Sequence, residues 1–195
     1  MAKPSQKDLD KKAANLAQFR KKLNEDGSLT EKARIQLIRG VVRQVWMKAP
    51  NKLAFLEETR IADMDPTTRT KWLWKCEICE GMFKGGDIQV DHIVGEAEFT
   101  SLDHLGSYCE QILGVGRDGM QILCIPDHEI KTLQERMGIT FEEARIEKKT
   151  IAWAKQKAAD QVAWFKKKGL EGGTNAKSRK AAYRKYLTEE SNNGS

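Results

Sequence analysis

The sequence predicts an α+β fold from three features. Helical periodicity fills the N-terminal third, a β-prone stretch broken by glycines occupies the centre, and helical periodicity returns toward the C-terminus. The 195 residues suffice for one domain, or one small domain with extensions. With 39% hydrophobic and 32% charged residues the chain is more polar than an average domain, so exposed helices around a compact centre are expected. Five Trp and six Phe exclude disorder throughout.

Residues 1–30 read as a charged helical lead ending at "NEDGSLT", where Gly27 and Ser28 break it. From Thr30, with Glu31 in the first turn, Ile35, Ile38, Val41, Val42, Val45 and Trp46 recur at helical intervals and predict an amphipathic helix. Lys32, Arg39 and Arg43 share a polar face of it, available to phosphates. Ala49-Pro50 ends this helix, because the residue before a proline avoids the helical region, and Pro50 opens the next one over 50–61. "DMDPTTRT" is a turn-rich link. Residues 72–94 predict a hairpin interrupted by Gly81 and Gly85-Gly86, with one of Trp72 and Trp74 in the core and the other partly exposed.

Beyond the hairpin, "TSLDHLGSYCEQILG" has a weak helical period, with His104 as a plain helix residue and Cys109 as a small buried hydrophobe. "GVGRDG" is a loop, and "MQILCIP" is a brief apolar run stopped by Pro126. "HEIKTLQERMG" reads as a helix closed by Gly138. Thr140 and Glu143 form a capping-box signature for one long helix over 141–169, on which Trp153 and Trp164 fall on nearly the same face. "LEGGTNAKS" is a flexible link before a final basic helix or tail.

Net charge is +6, and its distribution says more than its sum. Residues 1–60 carry +7, residues 61–165 carry −6 and residues 166–186 carry +7. Basic flanks around an acidic middle suit a polyanion held at the ends while the centre handles cations; solvated helical faces are the plainer alternative. The first residues lack the apolar core of a secretory signal, and no window approaches the roughly 18 apolar residues of a membrane span. A cytoplasmic setting without membrane contact is therefore expected, in which the four cysteines stay thiols or bind metal.

Two pairs of residues have metal-ligand spacing. Cys76-x-x-Cys79 sits at the front of the hairpin, and Cys124-x-x-Asp127 follows far downstream. Thiolates two apart on a tight turn reach one tetrahedral zinc, and a second such pair completes it. Cys109 is an alternative fourth ligand to Asp127, and a lone CxxC is also compatible with redox chemistry or accident. Asp91-His92 closes the alternating stretch "DIQVDHIVG", an acid and a base side by side.

The order of a CxxC hairpin, a strand ending in Asp-His, an insertion and "LCIPDHEIKT" opening a helix resembles the HNH endonuclease family. Within it the likeness is closest to small HNH proteins of bacteriophages, and it covers residues 72 to about 133. The resemblance implies a ββα-metal (HNH) core with a zinc-bound hairpin over 71–138. A basic helical extension over 1–70 would precede it, and a long helix with a basic tail over 139–195 would follow. It places His92 as the general base that takes a proton from the attacking water, and Asp91 and His128 as ligands of one divalent ion at the scissile phosphate. Two positions depart from the family. Gly119 stands where an asparagine commonly orients the base, leaving that task to a backbone carbonyl or Asp118, with Gln121 within reach. Asp127 stands in place of the last zinc cysteine.

The expectation is a metal-dependent DNA endonuclease with a one-metal mechanism, encoded by a phage and acting in homing, nicking or packaging in the host cytoplasm. It would use Mg²⁺, or Mn²⁺ or Ni²⁺, for catalysis and Zn²⁺ for structure. Double-stranded DNA is the expected partner, held through Arg39, Arg43, Lys131, Lys177, Arg179, Lys180, Arg184 and Lys185. Lys131 and Thr132 are equally readable as first-turn helix residues. Phage protein partners and the oligomeric state stay open. The alternative is a non-catalytic zinc-stabilised nucleic-acid-binding protein.

Overall fold

The computed structural model describes residues 5–95 and 99–193; positions 1–4 and 194–195 of the two expected flanking segments lie outside the described residues. The fold is α+β, with eight helices and five short strands among the described residues. By compactness the chain divides into two units, each made of two stretches: residues 1–74 with 90–122, and residues 75–89 with 123–195. This division cuts across the consecutive segments 1–70, 71–138 and 139–195 read from the sequence.

The first unit is mainly helical. Helix α1 (Gln6–Arg20) starts at a Ser5/Asp8 capping box and buries none of its residues. A turn bridged at Leu23 and Leu29 leads to α2 (Glu31–Trp46), whose first turn is capped by the Thr30 hydroxyl accepting from Ala33 N–H. α2 buries Ala33, Ile35, Val42 and Trp46, whereas Val41 and Val45 are 59% and 49% exposed. The apolar arc read from the sequence is wider than the face that packs against α4 (Leu105–Leu113), so its outer edge stays in solvent. Pro50 opens α3 (Pro50–Thr59) as expected, but Ile61 leaves the helix for a two-residue strand, β1 (Ile61–Ala62). β1 pairs antiparallel with β2 (Trp72–Lys75), Ile61 opposite Leu73 and Ala62 opposite Trp72. Trp74 donates its indole N–H to Leu56 O at 2.9 Å, while the more exposed Trp72 stacks under the Arg60 guanidinium.

Strand β3 (Met82–Lys84) follows the cysteine turn, and the strand order of this sheet is β1-β2-β3. A single 3₁₀ turn at Gly85–Asp87 then leads into β4 (Ile88–His92), which pairs with β5 (Met120–Cys124) in a separate two-stranded sheet. The alternation read in "DIQVDH" appears as burial of Ile88 and Val90.

The second unit continues with three successive helices. α5 (Ile125–Met137) begins directly at the end of β5, with Pro126 inside its first turn rather than ending an apolar run ahead of it. Gly138, at φ +62°, closes it in the left-handed conformation. The predicted capping box is present: Thr140 and Glu143 open α6 (Phe141–Ala154). The single long helix expected over 141–169 is broken, however, into α6 and α7 (Ala158–Lys168). No glycine or proline marks the break. Buried Gln161 fastens it, donating its amide to the carbonyl of Ala154, the last residue of α6, and to that of Gln156 in the link beyond. Trp153 and Trp164 thus sit on different helices and meet edge to face, with centroids 5.9 Å apart.

The basic tail is a helix, α8 (Ala176–Asn193), and it packs on α6. Tyr183 stacks on Trp153 at 4.2 Å, and the nearly buried Glu147 pairs with Lys180 and Arg184. Among the described residues, no helix is long and apolar enough to cross a membrane.

Candidate functional site

In the second unit, one turn and one helix start converge on a cluster of ligand atoms. Cys76 leaves β2, its N–H donating to Gly81 O at 2.9 Å, and the returning Glu80 N–H bonds Cys76 O at 3.0 Å. Glu80 takes φ +58°, a conformation a non-glycine residue adopts at some cost, which curls the turn tightly enough to bring Cys79 back beside Cys76. A Cβ at Gly81 would lie 2.8 Å from the Phe83 ring, so any larger residue there would have to displace that ring. Cys124 caps α5 and Asp127 lies in its first turn.

The three sulfurs and one Asp127 oxygen all lie within 4.8 Å of one another and can hold a metal ion. The Asp127 Oδ2 is 3.2 Å from Cys76 Sγ and 3.1 Å from Cys124 Sγ, and the Cys79 and Cys124 sulfurs are 3.9 Å apart. The Cys124 N–H donates to Cys76 Sγ at 3.3 Å, a bond that steadies a thiolate. Cys76, Cys124 and Leu123 form a buried cluster under Phe83. Burial pushes the Cys79 and Cys124 thiols up, so both stay neutral unless a cation draws the proton off. Burial also opposes ionisation of Asp127, but hydrogen bonds from Cys79, Cys124 and Cys76 outweigh it and hold that carboxyl below its ordinary value. Cys109 lies on α4 and is not part of this group; the fourth atom of the group that could hold an ion comes from Asp127.

In the first unit, β4 delivers Asp91 and His92. The Gln121 amide, on neighbouring β5, donates to Asp91 Oδ2 at 2.9 Å. His92 Nε2 lies 3.1 Å from Ile112 O, at the C-terminal end of α4. A carbonyl only accepts, so Nε2 carries the ring proton and the acceptor lone pair of neutral His92 falls on Nδ1. Of the two groups that the sequence left open beside His92, a backbone carbonyl lies against its ring. Trp46 lies against the imidazole with ring centroids 4.6 Å apart, and Lys52 Nζ stands 5.3 Å from the Trp46 centroid. Burial lowers the pKa of Lys52.

Asn51 at the start of α3 fixes the end of α4, donating to Leu113 O at 3.0 Å and Val115 O at 2.9 Å. Ile112 O and Leu113 O lie in the last turn of α4, where carbonyls lack a helical partner four residues on, and His92 and Asn51 each meet one of them. A groove of about 450 Å³ is lined by His92, Val94, Gly95, Gln111, Ile112, Val115 and Gly119. A Cβ at Gly119 would lie 2.5 Å from Val115 Cγ2, so the space an asparagine would need is taken.

His128, in the second unit, occupies the second turn of α5 beside a separate groove between α5 and α6. Lys131 is held by Glu135 one turn on. Of the cations expected on DNA, Arg179 is 9% exposed and bonds Gln161 Oε1 at 2.8 Å and Thr174 O, so it is a packing residue and not a surface contact. Lys180 and Arg184 are drawn toward Glu147. Arg39 is half-buried, and Arg43, Lys177 and Lys185 lie exposed. His104 is exposed.

Trp46, Asn51 and Ile112 were missed as site residues by sequence reading; only the burial of Trp46 was signalled, by the helical period of α2. The chain matches no family model, no curated protein and no solved structure.

Proposed function

We propose that the chain is a metal-dependent endonuclease of HNH type that hydrolyses DNA phosphodiester bonds, with His92 as general base. The observation that carries the reading is the setting of His92: Nε2 sits on the Ile112 carbonyl, the ring rests on Trp46, and the residue lines an open groove. A base must be held in one tautomer with its lone pair on the substrate side, and imidazole is the side chain suited to take a proton near neutral pH. Nδ1 is then the atom that accepts the proton of the attacking water.

Asp91 and His128 are assigned to a catalytic divalent ion by the sequence pattern alone. A carboxylate with an imidazole suits Mn²⁺ or Ni²⁺ better than Mg²⁺, and such an ion when bound offsets charge at the phosphate. Gln121 fixes the Asp91 carboxylate for that task.

The Cys76, Cys79, Cys124 and Asp127 group suits structural Zn²⁺. Zinc–sulfur bonds of ~2.3 Å and a zinc–oxygen bond of ~2.1 Å require tetrahedral edges of about 3.8 Å between sulfurs and about 3.6 Å from sulfur to oxygen. The observed 3.9 Å between sulfurs is close to its edge, and the sulfur–oxygen separations of 3.1 and 3.2 Å would have to open by roughly 0.4 Å to admit the ion. Duplex backbone contacts fall to exposed cations, Arg43, Lys177 and Lys185 among them.

Incubation of supercoiled plasmid with Mg²⁺, Mn²⁺ or Ni²⁺ tests the reading: nicking or linearisation is expected, absent without added divalent ion and absent in His92→Ala. A folded, zinc-loaded chain that shifts DNA but cuts it with none of the three ions overturns it. That result would favour a non-catalytic zinc-stabilised nucleic-acid-binding protein, the reading to which Gly119 in place of asparagine lends support.

A further inference from the structure

The groove between α5 and α6 has a volume of about 410 Å³ and takes no part in the cysteine cluster; His128, assigned above to the catalytic ion, is among the residues that line it. Its floor is apolar, made by Leu133, Ile151 and Ala152. Its rim carries Arg136, Lys148 and Lys155, and Glu129 is the one carboxylate among the described residues that line it. Glu129 pairs with Lys148 at 2.7 Å, both side chains being about half exposed, and such a pair exchanges readily for a stronger anion. The rim is positive on balance: Arg136, Lys148 and Lys155 face the single carboxylate of Glu129.

A paired duplex would use these cations but not the floor, because its bases are stacked inside and its outer surface is sugar and phosphate. An unpaired nucleotide offers both chemistries at once, an apolar base face and an anionic phosphate, and fits within a cavity of this size. We propose that the groove seats one unpaired nucleotide of a nucleic-acid strand, with its base on Leu133, Ile151 and Ala152 and its phosphates on Arg136, Lys148 and Lys155. The inference rests on the nucleic-acid reading above and adds a substrate class: a strand with an unpaired nucleotide is bound in preference to a continuous duplex.

The test is fluorescence anisotropy over a salt series without added divalent ion, with a short labelled oligothymidine and a fully paired duplex of the same length. The wild-type chain is compared with Lys148→Ala/Lys155→Ala and with Ala152→Glu, the latter at an exposed helical position where the added carboxylate fills the groove without disturbing the core. The single strand is expected to bind about tenfold tighter than the duplex. The double variant should lose about tenfold of that affinity and flatten the log–log salt slope by about 1.4, each lost single-strand phosphate contact counting about 0.7. Ala152→Glu should weaken the single strand with zinc content and melting temperature unchanged.

Unchanged affinity and slope in both variants, equal binding of the duplex, or competition by thymidine monophosphate at the same concentration as the strand would overturn the proposal. Because binding is read without cleavage, the two readings separate. A chain that cuts nothing but shows these losses keeps the groove, whereas one that cuts through His92 with unaltered binding in both variants loses it.

Discussion

The cysteine cluster and the histidine groove are built in opposite ways. The cluster takes its four ligand atoms from two short segments, each with its two ligands three positions apart, and one turn and one helix start suffice to aim them. The His92 groove draws on α2 for Trp46, α3 for Asn51 and α4 for Ile112, so its parts are scattered over more than sixty positions of chain. A locally encoded site shows in the spacing of rare residue types; an assembled one uses ordinary residues and a backbone carbonyl, and shows only after folding.

The largest expected effect therefore belongs to the cluster. Cys76→Ser, or prolonged chelation, should take zinc from about one per chain to none and lower the melting temperature on the order of 10 °C, since metal binding at such a site is folding free energy. Elemental analysis with a melting curve checks it, and a metal-free wild-type chain of unaltered stability would break the comparison at its first term. Next comes His92→Ala, which should reduce plasmid cleavage by roughly 10²–10⁴-fold with duplex affinity and zinc content retained. If cleavage survives near wild-type level, the groove is not the reacting centre.

The third test concerns Gly119, the position at which the sequence departs from the HNH pattern it resembles. Gly119→Asn should destabilise the chain by about 1–3 kcal/mol through the clash with Val115 Cγ2, and should not raise cleavage. A faster, equally stable variant would show that a side chain, not the Ile112 carbonyl, is the better orienter of His92.

What could be read from the sequence follows the same division. The α+β class, the Thr30 and Thr140 caps, the start of α3 at Pro50 and the two ligand-spaced pairs, Cys76 with Cys79 and Cys124 with Asp127, all depend on neighbours a few positions apart. The break between α6 and α7 was hidden because Gln161, which fastens it through the Ala154 and Gln156 carbonyls, leaves the helical period intact. Arg179 looked like one more cation of a basic tail, and only the packing of α8 against α6 and the bond to Gln161 remove it from the surface. Val41 and Val45 belong to the apolar arc of α2 yet lie in solvent, because periodicity reports how wide an apolar face is and not how much of it a neighbour covers.

The smallest effect is the most specific to the assembled site. Asn51→Ala removes two part-buried hydrogen bonds to Leu113 O and Val115 O, each worth about 0.5–1.5 kcal/mol, and a melting shift of a few degrees should follow. If Asn51 acts only on stability, cleavage measured well below the melting temperature will be unchanged. If it positions His92 through the end of α4, the turnover rate should fall about three- to tenfold, of the size expected when a base is displaced from a geometry that catalysis requires to well under an ångström. DNA affinity and zinc content should stay as in the wild type. Asn51→Asp separates the two further, because a carboxylate cannot donate to a carbonyl and leaves the same two acceptors unmet at nearly constant volume. Equal losses in the alanine and aspartate variants would tie the defect to the missing donor.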